Sequence, residues 1–581
     1  MKSLRATTVA WLAAAAALLA ACGGGGGGSA EPAQDKPASA VDAQRFLTQA
    51  TFGPVESDVT RVMDIGYRAW IDWQMGLPLR SHREYWDVQH AAARAADPNA
   101  SAGTRDVLDS FYIQAVRGED QLRGRVAFAL SQIFVVSMVD STVADNPRGV
   151  AGWLDVMNQH AFGHYRDLLE AVARHPMMGI YLSHLRNQKE NPATGRVPDE
   201  NFAREVMQLF SIGLYQLEPD GRVKLGADGK PIETYTGEDI AGLAKVFTGF
   251  SWAGPDTSDS RFFGSSSAQD PDRQWMPMQG YTRYHSTSEK RFLGATVAAQ
   301  GTADPNASLR VALDTLAAHP NVGPFIGRQL IQRLVTSNPS PGYVARVAAA
   351  FADNGSGVRG DMKAVVRAVL LDPEARDPAV ARDAAYGKLR EPVLRLTALL
   401  RAFGATSDSG RWLVGSTDDA GTQLGQTPLR SPSVFNFYRP GYVPPNSELG
   451  AAGLAAPEMQ ITHETSVAGY ANYMRSALQS GVGQNGPNFT APRRDVQLDL
   501  APEMALADRP AELVDRVLAK LAGAADTAAL KPDVQAAVES IAIPALRADG
   551  SNQTQVDDAK RNRVRMAALL TLVSTEFLVQ K

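Results

Sequence analysis

Gln121-Leu122-Arg123-Gly124-Arg125-Val126-Ala127-Phe128-Ala129-Leu130-Ser131-Gln132-Ile133-Phe134-Val135-Val136-Ser137-Met138-Val139 is the stretch that decides how the chain is read. Leu122, Val126, Ala129, Leu130, Ile133, Phe134 and Met138 fall at steps of three and four, the spacing that lines one face of an α-helix. The same period recurs outward from it, over residues 154–172, 325–334, 344–351, 361–371, 392–403, 510–521 and 558–579. Start signals accompany it: Asp508 ahead of Arg509-Pro510, and Thr236 followed by Asp239 in a capping-box arrangement. Period-two runs are short and few. One of them, residues 215–223, carries Asp220-Gly221 at its centre and reads as a hairpin turn.

These patterns predict a mainly α-helical fold. It is a single large helical domain over residues 41–581, with long ordered loops rich in aromatics and proline and at most a small β-hairpin. The loops are residues 251–288 and 407–456, which lack a helical period. Their aromatics, Trp252, Phe262, Phe263, Trp275, Tyr281 and Tyr284 in one and Phe435, Phe437, Tyr438 and Tyr442 in the other, favour packing over disorder. No repeat of a solenoid is evident.

Ahead of this domain, Lys2 and Arg5 precede an apolar run from Val9 to Ala21 that closes in Leu19-Ala20-Ala21-Cys22. Charge, a short apolar core and small residues in that order make residues 1–21 an export signal. About 13 apolar residues span only ~20 Å as a helix against ~30 Å of hydrocarbon, too little for a permanent span. Cys22 stands where lipoprotein processing needs a thiol to acylate, so the bilayer is an expected partner through acylated Cys22. It is also the only cysteine, which leaves the folded body without disulfides, thiolate metal ligands or a thiol nucleophile. Residues 22–40, the lipidated cysteine and a Gly, Ala and Pro-rich run, then act as a flexible tether of roughly 20 to 25 Å. Expected localisation is extracytoplasmic, anchored to the cell envelope. Gly23 in place of an aspartate favours the outer membrane.

The formal net charge is −4, and two units lower once Lys2 and Arg5 are removed with the leader. Mild acidity gives no electrostatic case for a nucleic-acid partner. The signatures of nucleotide loops, zincins and nucleophile elbows are missing from the sequence.

Three stretches carry candidate chemistry. In residues 198–214, Phe202, Val206, Leu209 and Phe210 form one helix face while Glu200, Asn201, Arg204, Glu205 and Gln208 line the other. The preferred reading is a solvated face with a Glu200 to Arg204 pair; the sharper one is a buried stripe in which Glu200 and Glu205 act as an acid and base pair or as metal ligands, held by Arg204 and Asn201. In residues 284–294, His285 suits a ligand or a general base, and Lys290 follows it, although a histidine in a polar loop is more often a surface residue. In residues 424–440, prolines and aromatics surround Gln426 and read as a loop plugged into the helical body. No metal or cofactor is specified by these residues.

Taken in order, the motifs resemble a bacterial family, the domain of unknown function number 1800. The matching pieces are residues 45–54 (Arg45-Phe46-Leu47-Thr48-Gln49-Ala50-Thr51-Phe52-Gly53-Pro54), 161–169, 198–205, 247–250, the His285 segment with Lys290, Gly425-Gln426, Pro432-Ser433-Val434 and Ser574-Thr575-Glu576-Phe577. The resemblance covers nearly all of residues 41–581. It implies an exported, large, helical protein without an established reaction. Such proteins look often to be encoded beside a second exported family, number 1501, similar to alkaline-phosphatase-like or sulfatase-like folds, so a protein of that kind is the partner it implies. Where many relatives carry histidine, this chain has Gln132 and Phe210, and where they carry an aspartate it has Ser286.

The expected function is an exported, lipid-anchored envelope protein acting as a binding or assembly component with another exported protein. The alternative is an extracytoplasmic hydrolase, metal-dependent or not, with Glu200, Arg204, Glu205 and His285 around a pocket and Asn201, Lys290 and Gln426 as binding groups.

Overall fold

Helices form where the apolar period runs, and they stop where a tertiary partner takes over the backbone. The computed structural model describes residues 35–268, 270–485 and 493–581. The leader at residues 1–21, Cys22 and the tether up to residue 34 lie outside the described residues. The chain from Asp35 to Lys581 forms one compact unit. At its start the Asp35 carbonyl accepts from the Tyr67 amide at 2.8 Å, and Ser39 caps the helix Ala40–Ala50.

The fold is mainly α, as expected, with 27 α-helices among the described residues and only four two-stranded antiparallel pairs. The strand pairs are two or three residues long. They join Phe250–Ser251 to Gln279–Gly280, Lys290–Phe292 to Ala295–Val297, Lys388–Leu389 to Val579–Gln580 and Thr406–Ser407 to Val496–Gln497. No helix of the described residues is long and apolar enough to cross a membrane.

The deciding stretch begins as the helix Gln121–Ser131 and is buried on every side. Val126, Ala129 and Leu130 belong to one apolar core, which gathers the helices up to Met362–Leu371; Phe128 belongs to a second, built from Pro392–Ala402, Glu464–Ser480, Pro510–Ala522 and Gln553–Leu572. The helix ends eight residues earlier than its period allows. Arg333 donates to the Gln132 carbonyl at 3.0 Å, the Met138 amide donates to the Leu429 carbonyl at 2.7 Å, and Ser137 Oγ to that of Ser431 at 2.7 Å. The backbone bonds that a longer helix would make are thus made across the molecule, and β-branched Ile133, Val135 and Val136 lose little by leaving the helix.

Elsewhere the boundaries shift for local reasons. The period over 154–172 is split into Pro147–His160 and Tyr165–Arg174, because His164 turns its ring onto the Arg166 amide and starts a new helix. Thr236 and Asp239 form the expected capping box. Asp508 does not cap Pro510–Ala522; Arg509 holds that position without a side-chain bond, and Asp508 pairs with Lys560 at 2.5 Å.

The hairpin at Asp220-Gly221 forms, with Leu217 bridging Val223 and Gly221 at φ 80°. It continues into a second turn, and Tyr215 bridges Glu233 on the way back. The two long loops are packed: Trp252, Phe262, Tyr281 and Tyr438 are buried, and Phe262 stacks on Tyr284 at 3.8 Å.

Candidate functional site

The helix Asn201–Gln208 points Phe202 and Val206 into the core and Glu200, Asn201 and Arg204 into solvent. Glu200 and Arg204 pair at 3.5 Å with 47% of each side chain exposed. A pair of this kind contributes about 0.3–0.5 kcal/mol. Asn201 Nδ2 reaches Ser183 Oγ at 3.4 Å. Glu205 lies on the inner side, where burial pushes its carboxyl above the usual range, partly opposed by Arg204, and its Oε2 has no hydrogen-bond partner.

His285 is fully buried in a different place. Its Nδ1 donates to the Thr248 carbonyl at 2.8 Å and its Nε2 accepts from Ser308 Oγ at 2.9 Å. Burial lowers its pKa to about 4, so the ring is neutral and braces Thr248 against the helix Pro305–Ala318. Lys290 is buried beside it. Its Nζ donates to the Ser288 carbonyl at 3.3 Å, and burial pulls its pKa down against the opposing field of Glu190. Ser286 and Ser288 both donate to Glu190 Oε1, so Ser286 works as a donor. Among the described residues, no hydrogen bond or ion pair joins Glu200, Arg204 or Glu205 to His285 or Lys290. No group of three or more His, Cys, Asp or Glu among the described residues is placed to hold a metal ion.

What the structure does assemble is a cleft of about 420 Å³ at the end of the deciding helix. One wall is the helix Val322–Leu334. Its Val322, Ile326, Leu330, Ile331 and Leu334 are fully buried, each worth about 1.5–3 kcal/mol of burial, while Phe325, Arg328, Gln329, Gln332 and Arg333 follow at steps of one, three and four and line the cleft. The opposite wall is the hairpin, with Leu214, Leu217 and Val223. Val434, Phe435, Arg439 and Pro440 of the long loop close the third side. Leu214, Val223 and Phe435 are among the large apolar side chains that the fold leaves exposed.

The floor is polar. Gln132, Gln329, Gln332 and Arg333 are each more than nine-tenths buried. Gln332 Nε2 donates to the Pro440 carbonyl at 3.0 Å and Gln329 Oε1 accepts from Arg333 at 3.4 Å. One polar atom of each remains without a partner in the protein: Gln132 Oε1, Gln332 Oε1, Gln329 Nε2 and Arg333 Nε.

Beneath the floor lies a buried ionic network. Glu391 Oε2 accepts from Gln132 Nε2 at 2.5 Å, Gln426 Nε2 at 2.6 Å and the Tyr438 hydroxyl at 2.9 Å. Gln426 also accepts from the Val393 amide at 3.0 Å, which ties the loop to the start of Pro392–Ala402. Lys388 and Glu458 pair at 2.8 Å with almost no exposure. Burial lowers the pKa of Arg125 and Arg333, opposed by Glu391 and Glu458, and raises that of Glu458, opposed by Lys388.

A larger depression of about 710 Å³ beside residues 400–405 is less demanding. Most of its charges are already paired: Arg401 with Asp58, Arg516 and Lys520 with Glu503, and Asp515 with Lys531. None of its lining residues holds a buried polar atom without a partner, whereas four of the smaller cleft's do.

A family model described as "Protein of unknown function (DUF1800)" matches residues 45–579. The chain belongs to the DUF1800 family. No curated protein and no solved structure matches it. In this DUF1800 protein, the position of Gln132 therefore has a physical role of its own: it connects the cleft floor to Glu391. Phe210 lies in the core against Phe134 at 5.4 Å, with its carbonyl accepting from the Tyr165 hydroxyl at 2.5 Å. Of the residues singled out from sequence, Gln426 belongs to the network under this cleft. Sequence reasoning named Gln132 and Gln208 singly and did not group them with Arg328, Gln329, Gln332, Arg333 and Arg439. The available signal was the polar stripe at helical spacing in 325–334, which looks like any solvated face until a hairpin and a loop enclose it.

Proposed function

We propose that this DUF1800 protein is an exported, lipid-anchored envelope component that binds another exported protein, and that the cleft floored by Gln132, Gln329, Gln332 and Arg333 is where it binds. The order of charge, apolar core and lipobox cysteine supports export and anchoring. The observation that carries the binding reading is the cleft's lining. Leu214, Val223 and Phe435 are exposed there beside Arg328 and Arg439, neither of which forms an ion pair with any described residue. A partly apolar concave site with a few convergent polar groups is the usual form of a binding pocket.

The test is photo-crosslinking in isolated envelopes, with the full lipidated chain carrying a photoreactive residue at Val223, at Phe435 or, as a control away from the cleft, at Arg310. The expected result is a discrete adduct with an exported protein from Val223 and Phe435 and none from Arg310. Absence of adducts at both cleft positions, or equal adducts at all three, contradicts the proposal.

A further inference from the structure

Arg328 and Arg439 line the cleft, and no aspartate or glutamate does, on a chain whose net charge is −4. Both side chains are exposed, and neither forms an ion pair with any described residue; Arg439 lies over the Phe435 ring at 4.9 Å. Arg328 is the more demanding of the two. Its side chain is open to the cleft yet crowded by the walls, and that crowding pulls its pKa below the ordinary range with no acid opposing the shift. Arg123 and Arg401, pulled down by burial as well, are opposed by Asp120 and Asp58. Exposed Leu214, Val223 and Phe435 line the same cleft, so the two cations stand among apolar surface.

Resting on the binding reading above, we infer that the cleft takes a segment of the partner protein in which an aspartate or glutamate side chain stands between apolar ones. A carboxylate supplies the counter-charge that Arg328 lacks, and a guanidinium can hold it in two parallel bonds. Inside a cleft the pair is screened less than on open surface, so it selects against a segment without an acid. The flanking apolar side chains cover Leu214, Val223 and Phe435 and remove them from water. An anionic lipid also combines charge with apolar surface. Its acyl chains, however, each reach about 15 Å, half of the ~30 Å hydrocarbon core, and a cleft of about 420 Å³ does not hold two of them. A free phosphate or sulfate meets the arginines and leaves the three apolar side chains bare.

The test extends crosslinking from Val223 in isolated envelopes to the sequence of the adduct and to double variants of the full lipidated chain. The crosslinked peptide is expected to carry an aspartate or glutamate within about three residues of the attachment point, roughly 10 Å of extended chain, with apolar residues beside it. Arg328→Glu/Arg439→Glu, which alters only exposed side chains and is checked for an unchanged thermal midpoint, is expected to lower the adduct yield about tenfold or more. Arg328→Lys/Arg439→Lys keeps the charge and is expected to lose less. Should charge reversal lower the midpoint, Arg328→Gln/Arg439→Gln takes its place, with a smaller loss expected. An adduct peptide without an acid, a yield that survives removal of the cations, or equal losses in the reversed and lysine variants overturns the inference and leaves the binding reading standing. Attachment to lipid, or no adduct from Val223 and Phe435 of the parent chain, removes the binding reading and the inference with it.

Discussion

Single residues show how burial sets chemistry in this molecule. His285 gives up its ordinary pKa because burial penalises the charged ring, an effect that the Thr248 carbonyl accepting from Nδ1 only partly offsets. Its folded value of about 4 lies below the ordinary 6.5, so its contribution is complete above pH 6.5 and is lost as the pH falls toward 4, where only the unfolded chain takes up the proton. By pH 5 the loss is about 2 kcal/mol. Denaturant unfolding of a His285→Asn variant is therefore expected to depend less on pH between 7 and 5 than that of the parent by about that amount. Asp109, whose carboxyl is pushed up to about 8 mainly by burial, works in the opposite direction but is common to both chains and cancels in the comparison. An unchanged pH dependence contradicts the buried, neutral ring.

Glu391 is the residue on which the network turns. Replacing it with leucine leaves the donors of Gln132, Gln426 and Tyr438 without their shared acceptor and leaves Arg125 and Arg333 with one fewer counter-charge. A buried donor left without its acceptor costs about 1–3 kcal/mol, and Glu391→Leu is expected to lower unfolding free energy by at least that order. A change below about 1 kcal/mol contradicts a network of this kind. Lys388→Met, which strips Glu458 of its partner, is expected to behave alike.

Elements were read from the chain with uneven success, and the reasons are physical. Periodicity located Val322–Leu334, Pro341–Ala352, Pro392–Ala402 and Pro510–Ala522 to within about three residues of their ends, and the last three start at a proline, a local signal. It overran in residues 132–139, where Arg333 and Leu429 take backbone groups and Ser431 the Ser137 hydroxyl from across the molecule, and no local pattern reports such partners. The hairpin was legible because Asp220-Gly221 is a turn signal in its own right. Gly221, at φ 80°, brings the place of a Cβ to 2.9 Å from Val344 Cγ1. Gly221→Ala is expected to cost about 1–3 kcal/mol, to distort the cleft wall and to weaken crosslinking from Val223 while the helices stay intact by circular dichroism. Unaltered crosslinking argues that this wall does not touch the partner.

The candidate site was legible only in part. Glu200 and Arg204 look like a reactive pair in sequence, yet in three dimensions they form the ordinary outer face of a helix. Gln426 was visible through its loop, and its acceptor Glu391 was not, since nothing in the sequence near either residue announces a partner 35 positions away.

At the scale of the whole molecule, two apolar cores meet along Gln121–Ser131, and the cleft lies at the end of that shared helix. The cleft at the end of that helix is where the proposed capture of a neighbouring protein takes place. Anchoring, as proposed, rests on Cys22 alone, so Cys22→Ser is expected to move the chain from the detergent-rich to the aqueous phase in detergent partition and to leave thermal unfolding unchanged. Retention in the detergent phase contradicts acylation at that residue.

The cleft, as proposed, holds its partner in the envelope. The most direct measurement is the reactivity of Arg328 and Arg439 toward an arginine-selective reagent, read by mass spectrometry in isolated envelopes and in the purified full-length protein. Both are expected to be shielded in envelopes and reactive once purified, with Arg310 equally reactive in both. Equal reactivity of Arg328 and Arg439 in the two settings contradicts it.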